Sequence, residues 1–215
     1  MTPNERFEDE YLESLLELQF GQKVEKKLAK LAPKVLWAKG WPQKKKAFWN
    51  SEAFMWKCKV DKTERDLITK ELKKLGFHNG KNLDIGGGSF SYVPSTVIDC
   101  SEKMLLFNEN ATNIILGDLE NKLPINSNSF DSITAIFVLN YVKNLSLLLA
   151  EIKRVVKPGG KIMVVQSAIG VSLLHQMHEN NNWSKEKWQN LFIGASFNLK
   201  FKQKGNLLFY ELIVD

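Results

Sequence analysis

Four short segments of this chain end in residues that could together hold one polar ligand. Asn82-Leu-Asp-Ile-Gly-Gly-Gly-Ser-Phe90 reads as a brief buried strand, with Leu83 and Ile85 inward, running into Asp84 and the glycines Gly86, Gly87 and Gly88. A turn without Cβ atoms bends sharply and lets a ligand touch the backbone. Asp99 closes the strand Thr96-Val97-Ile98, where a carboxylate can accept both hydroxyls of a ribose. Asp118 follows Ile114-Ile115-Leu116-Gly117; it can accept from an exocyclic amine while the N–H of Leu119 donates to a ring nitrogen. The fourth segment is Phe137-Val138-Leu139-Asn140-Tyr141. Any one of these acids also suits a helix cap or a turn. Ligands sit at the carboxyl ends of parallel strands, and these four segments fall at such ends.

Other chemistry is sparser. Asn140 and Tyr141 are candidate substrate contacts, or a capped loop with a packed tyrosine. His175 and His178 are spaced to share a helix face, as a base, a weak metal pair or structural histidines; no third ligand is evident and no metal is expected. Phe48, Trp49 and Trp56 read as a lid or as packing, and Trp183 and Trp188 as anchors of the last helix. Cys58 and Cys100 give no disulfide framework, so both are expected reduced. The dinucleotide fingerprint fails, because Ser91 stands where its third glycine should be and Asp99 comes too early. No Gly-Lys-Ser/Thr follows, which excludes a phosphate loop.

The elements that must position these residues alternate. Strands are expected at 82–86, 96–99, 112–116, 131–137 and 160–166, and helices at 62–75, 101–108, 144–156 and 183–192. Lys157-Pro158-Gly159-Gly160 ends the penultimate helix, and Gln203-Lys204-Gly205-Asn206 joins segments 197–202 and 207–214 into an antiparallel hairpin. Before them Thr2-Pro3-Asn4-Glu5 resembles a capping box. Two apolar stripes follow, Phe7/Tyr11/Leu15/Leu18 and Val24/Leu28/Leu31, with a break at Gly21.

The composition sets outer bounds. A chain of 215 residues with 25% charged and 44% hydrophobic residues is a soluble globular protein, and no apolar run reaches membrane-spanning length. The amino end lacks the basic flank and apolar run of a signal peptide, so a cytoplasmic location is expected. The net charge of +6 is uneven: an acidic stretch through Glu17 precedes lysines from Lys23 to Lys46 interleaved with aromatics. Such a segment reads as a solvated face, or as a surface that holds nucleic acid through phosphate contacts and stacking.

These residues resemble the class I S-adenosylmethionine-dependent methyltransferases, closest to the small-molecule type called type 11. Asn82-Leu-Asp-Ile-Gly-Gly-Gly88 is similar to that family's first motif, Asp-x-Gly-x-Gly, and Val97-Ile-Asp-Cys-Ser-Glu-Lys-Met-Leu105 to its second-strand segment. Gly117-Asp-Leu-Glu120, Leu123-Pro124 and Ser129-Phe-Asp131 resemble the stretch that passes the adenine, and Leu148 to Gly160 the helix and turn before the fifth strand. The resemblance implies an α/β fold: a Rossmann-like seven-stranded, mostly parallel sheet with an antiparallel C-terminal hairpin. Residues 1–61 are expected to form a helical cap and 62–215 the cofactor-binding domain.

By the same resemblance Asp84, Gly86, Gly87 and Gly88 lie against the methionine part of S-adenosylmethionine, Asp99 binds its ribose with Cys100, Ser101 and Met104 nearby, Asp118 and Leu119 hold adenine, and Phe137 and Leu139 pass the sulfonium. The function implied is methyl transfer to a small molecule, leaving S-adenosylhomocysteine. The alternatives are an RNA or protein methyltransferase using the basic segment, or a non-catalytic cofactor-binding partner subunit. Two departures stand out: Phe90 replaces a further glycine, and only Ser89 to Ser95 separate the glycine loop from the second strand. That leaves room for about one helical turn; a more open site on that side is expected, with Phe90 or Tyr92 supplying the missing packing.

Overall fold

The computed structural model describes residues 3–214. Helices α1 (Pro3–Gln19), α2 (Glu25–Leu31), α3 (Lys45–Glu52), α4 (Trp56–Lys59) and α5 (Lys62–Lys74) precede the first strand. Next come β1 (Asn82–Ile85), β2 (Ser95–Asp99), α6 (Glu102–Phe107), β3 (Ala111–Leu116), β4 (Phe130–Ile136), α7 (Leu145–Val155) and β5 (Val156–Ser167). The chain continues through α8 (Leu173–Gln176), α9 (Lys185–Gly194), β6 (Asn198–Lys204) and β7 (Leu207–Ile213). Thr2 of the expected capping box lies outside the described residues.

The strands form one seven-stranded sheet in the order β3-β2-β1-β4-β5-β7-β6. β1 to β5 pair in parallel, and β7 runs antiparallel to both β5 and β6. This is the sheet the sequence implied. The strand order reverses between β1 and β4, which opens a crevice at their carboxyl ends. All four residues of β1 are buried, as expected for a central parallel strand covered on both faces.

One face is covered by α7 and α9, whose Leu148, Leu149, Ile152, Trp188 and Phe192 join the main core. Trp188 therefore anchors its helix as expected, while Trp183 precedes that helix and packs on Trp188 at 4.9 Å. The other face holds Ile68, Leu72 and Phe77 against Ile136, Met163, Val165 and Phe209. Asp61 caps the start of α5 by accepting from the Thr63 N–H.

The β1–β2 connection is as short as the sequence suggested, and where it left room for about one helical turn residues 89–94 form only turns and bends. Tyr92 and Val93 fill the space against α5 instead, with Phe90 packed beside them. Asn108, beyond the end of α6, supports the loop, its Nδ2 donating to the Gly88 carbonyl at 2.9 Å and to Ser91 Oγ at 3.0 Å. Asn110 Nδ2 donates to the Ser91 carbonyl at 2.6 Å. A loop whose backbone groups are satisfied this way needs no helix.

Three smaller expectations are also corrected. β5 begins at Val156, so Lys157 to Gly160 lie within the strand, where its pairing with β4 shifts register. Phe137 falls just past β4 with φ 55. α8 stops at Gln176, so His178 is outside it and shares no helix face with His175.

The N-terminal helices have a core of their own, built from Tyr11, Leu15, Leu28, Phe48, Trp49 and Met55, which extends to Met104 and Tyr141 of the sheet domain. Three aromatics interleaved with the lysines are spent inside it, Phe48 at 0% exposed, Trp41 at 4% and Trp49 at 7%, while Trp37 and Trp56 are half-buried.

Candidate active site

The glycine loop is shaped by what lies beneath it. Gly86 has φ 60, a left-handed conformation that costs side-chain-bearing residues energy. Gly87 is required by space: a Cβ there would sit 2.6 Å from Asp84 Oδ2 and 2.8 Å from Val97 Cγ1. Asp84 is thus under the loop, not on the cavity wall. Its Oδ1 accepts from Thr134 Oγ1 at 2.8 Å. Thr134 Oγ1 in turn accepts from Asn82 Nδ2 at 3.1 Å, and that amide also donates to Ser95 Oγ at 2.8 Å. This buried chain crosses β2, β1 and β4. Burial pushes the Asp84 carboxyl up to about 6, with hydrogen bonds from Ser91 and Thr134 opposing and the Asp99 charge adding.

Asp99, at the end of β2, holds the loop from the other side. Its Oδ2 accepts from the Gly88 N–H at 3.2 Å and its Oδ1 from the Ser101 N–H at 2.8 Å. Each oxygen keeps a lone pair for a ligand. Burial raises this carboxyl too, to about 6, against the pull of those backbone donors and of Lys45. Burial and the Asp99 charge push the Cys100 thiol up to about 12, so it stays neutral. Ser101 caps α6 by accepting from the Met104 N–H at 3.1 Å, and its hydroxyl donates to Asn50 Oδ1 at 2.7 Å. Asn50 Nδ2 donates to the Trp37 carbonyl at 2.9 Å, so through Ser101 the N-terminal helices are tied directly to the end of β2.

A narrow cavity of about 50 Å³ runs over these groups, lined among others by Gly86, Gly88, Asp99, Cys100, Met104, Asp118, Leu119 and Phe137. Asp84, Gly87, Ser101 and Leu139 support this wall without lining it. Lys45, Trp49, Trp56, Val138, Tyr141 and Val142 complete the lining. Lys45 reaches down from α3 to within 3.6 Å of Asp118 and 3.5 Å of Glu120. Trp56 stands over the glycine loop, its Nε1 3.2 Å from where a Cβ on Gly88 would be. The side expected to be more open is therefore covered. Of the aromatic trio considered as a lid, Trp49 and Trp56 face the cavity. Phe48 is behind them, packed on His178 with ring centroids 4.3 Å apart.

A second cavity of about 710 Å³ adjoins the first, in the size range of small-molecule sites. The two share Trp56, Phe137 and Tyr141. Asn140 lines the larger one beside Glu179, and Gln166, His175, Trp183 and Trp188 form further wall. Phe137 adopts φ 55 at this junction, a conformation that is strained for an aromatic residue and that persists where function demands a fixed side chain. Burial holds the Tyr141 hydroxyl well above the ordinary phenol range, so it is a neutral hydrogen-bonding group. His178 lies off both cavities and binds the Pro42 carbonyl through Nε2 at 2.8 Å. Among the described residues, no group of three or more His, Cys, Asp and Glu side chains is placed to hold a metal ion.

Of the site residues missed by the sequence reading, Val138 lies within the candidate segment 137–141, while Lys45 and Val142 carry no local motif. Lys45 is one lysine in a run of three and reaches Asp118 only through tertiary folding.

The wall fits a nucleoside with a thioether side chain. It offers a carboxylate for vicinal hydroxyls at Asp99 and an acid beside a backbone N–H at Asp118–Leu119. The glycine loop adds a backbone surface that side chains would block. Comparisons with known proteins agree. Residues 75–164 match the family described as "Methyltransferase domain". The chain is 36% identical over 104 residues to a ubiquinone/menaquinone biosynthesis C-methyltransferase of Cupriavidus taiwanensis, a stretch covering 40% of this chain and 42% of that protein. A demethylmenaquinone methyltransferase of Tropheryma whipplei is 33% identical over 107 residues, covering 44% of this chain and 45% of that one. The chain thus matches less than half the length of these curated relatives.

Among solved structures, an S-adenosylmethionine-dependent methyltransferase of Aquifex aeolicus superposes with a TM-score of 0.57 at 17% identity, over 73% of this chain and 100% of that one. A putative one of Methanococcus maripaludis gives 0.60 at 18%, over 79% and 93%. The fold is that of the class I methyltransferases, and the resemblance read from the motifs is borne out over the matched segment.

Proposed function

We propose that the protein is an S-adenosylmethionine-dependent methyltransferase acting on a small molecule. The observation that carries this reading is the meeting of the two cavities at Trp56, Phe137 and Tyr141: a narrow one with nucleoside-binding groups, and a roomy one beside it. S-adenosylmethionine, when bound, supplies a methyl group already activated on a sulfonium. The chain's own residues need to align and enclose. Asp99 takes the ribose hydroxyls, Asp118 and Leu119 hold the adenine edge, and the glycine loop faces the amino-acid tail. Trp49 and Trp56 close the roof and exclude water from the junction. Asn140 and Tyr141 orient the acceptor as neutral polar groups.

A small acceptor is favoured over RNA because Trp41, Phe48 and Trp49, among the lysines, are packed inside and out of reach of bases. The relatives named for quinone biosynthesis support an acceptor with a flat apolar body, which the Trp56, Trp183 and Trp188 walls suit. The test is transfer of a tritiated methyl group from S-adenosylmethionine into cell extract divided by ultrafiltration. Label in the filtrate supports the reading. Label retained in RNA or protein transfers the role to a macromolecular acceptor, and no label in either leaves a cofactor-binding partner subunit.

A further inference from the structure

Ser172 stands at the N-cap of α8 yet makes no capping hydrogen bond. Its Oγ instead lies 2.8 Å from His175 Nδ1. On the far side of that ring, Nε2 is 3.0 Å from Glu52 Oε2, with side chains 7% and 1% exposed. The contact meets the distance of an ion pair more than the direction of a hydrogen bond. Glu52 also pairs with Lys59. Burial alone would push the Glu52 carboxyl up, but the contact with His175 and the Lys59 charge hold it below the usual carboxylate range. A charged carboxylate buried in α3 is costly unless something uses or pairs it.

The histidine ring is enclosed by Phe48, Trp49, Trp56 and Tyr141, with centroids 5.3, 5.9, 6.1 and 6.4 Å away. Trp56 and Tyr141 are two of the residues shared by the cavities, so His175 borders the transfer point. Ser172, His175 and Lys59 all line the larger cavity. Gln166 faces the same space, 5% exposed, and its Nε2 has no hydrogen-bond partner. Such a buried donor calls for an oxygen that the protein does not supply.

We propose that Ser172, His175 and Glu52 form a proton relay and that the larger cavity takes a neutral aromatic hydroxyl compound, a phenol-type acceptor. This rests on the cofactor reading above. The acceptor's O–H proton passes to Ser172 Oγ as the Ser172 proton passes to His175 Nδ1, leaving an imidazolium against the Glu52 carboxylate. The phenolate oxygen forms the new bond to the methyl carbon. The carbon–sulfur bond breaks as it forms, its electron pair staying on sulfur. The imidazolium then returns its proton to water through Ser172, which is exposed at the cavity mouth. The Lys59 ammonium favours the phenolate. The charged and titratable groups around His175 are Glu52 and Lys59 from the cap, Tyr141 after β4, and His178 and Glu179 from its own segment.

The test uses 4-nitrophenol, which is yellow only as the phenolate, with S-adenosylhomocysteine at saturation. Bound to the wild-type protein, its phenolate-to-phenol ratio should exceed that of free probe at the same pH by about tenfold or more. His175→Asn should bind S-adenosylhomocysteine normally and lose that shift. Nitrogen-15 NMR of the ligand-free protein should show His175 protonated on Nε2 with Nδ1 free to accept. If His175→Asn fails to fold, Ser172→Ala, an exposed change, must lose the shift in its place. Nitrophenol that does not bind or binds unshifted, a shift that survives the substitution, or a proton on Nδ1 would each overturn the relay. Failure of S-adenosylhomocysteine itself to bind would overturn the cofactor reading instead.

Discussion

Asp99 is pulled in two directions. Burial favours its neutral form and lifts the carboxyl to about 6, while its assigned partners, two ribose hydroxyls, are bound best by the ionised form. Affinity for S-adenosylhomocysteine should therefore be level above pH 7 and fall below about 6, approaching tenfold per pH unit; calorimetry from pH 5 to 8 measures this, and a flat profile would remove Asp99 from the ribose. The effect on stability has the opposite sign. For Asp84 and Asp99 the folded-state value lies above the ordinary one. What they contribute to the ligand-free fold is thus complete at low pH and lost as pH rises through about 6. Asp99→Ala should weaken cofactor binding by about tenfold to a hundredfold, the worth of one or two charge-assisted hydrogen bonds. Gly87→Ala should lower stability by about 1–3 kcal/mol in denaturant titration, because its Cβ meets Asp84 and Val97, which are themselves packed. At this scale the acids and glycines were legible because each ends a strand of readable pattern. Asp84 misled in one respect: the motif marks it for the site, and only the three-dimensional structure shows it supporting the loop from beneath.

The elements were legible wherever periodicity ran long enough. The sheet, the hairpin and α5, α7 and α9 follow from apolar spacing and breaker residues. α8 was not visible, since four residues carry no period. The β1–β2 connection was read as too short for its helix, and the structure shows the substitute: Tyr92 and Val93 against α5, with Asn108 and Asn110 satisfying the loop. Tyr92→Ala should accordingly cost about 3 kcal/mol, as a large buried side chain does in any layer, while Phe90→Ala, at the margin of that core, should cost less. Trp56, in the four-residue α4, roofs the glycine loop across the missing-helix side. Trp56→Ala should speed both association and dissociation of S-adenosylhomocysteine in stopped-flow measurements, because the roof that a ligand must pass is removed; unchanged rates would make Trp56 simple packing.

At the scale of the whole molecule, the cap and the sheet domain meet over the site. Asn50 joins the Trp37 carbonyl to the Ser101 hydroxyl, Lys45 reaches Asp118, and Glu52 reaches His175. None of these pairs shares a sequence motif, and that is why the sequence left the cap's role open between lid, docking surface and packing. The cavity over Asp99 and the glycine loop lies beneath Trp49 and Trp56 of the N-terminal helices. The central claim is that this cavity belongs to S-adenosylmethionine and its product. Its most direct test is calorimetric titration of S-adenosylhomocysteine into the full chain, with NADH as the control. Saturable one-site binding of the former alone is expected, and it should weaken in Asp99→Ala. Absence of binding, or equal binding of NADH, would contradict the assignment and leave the fold without its cofactor.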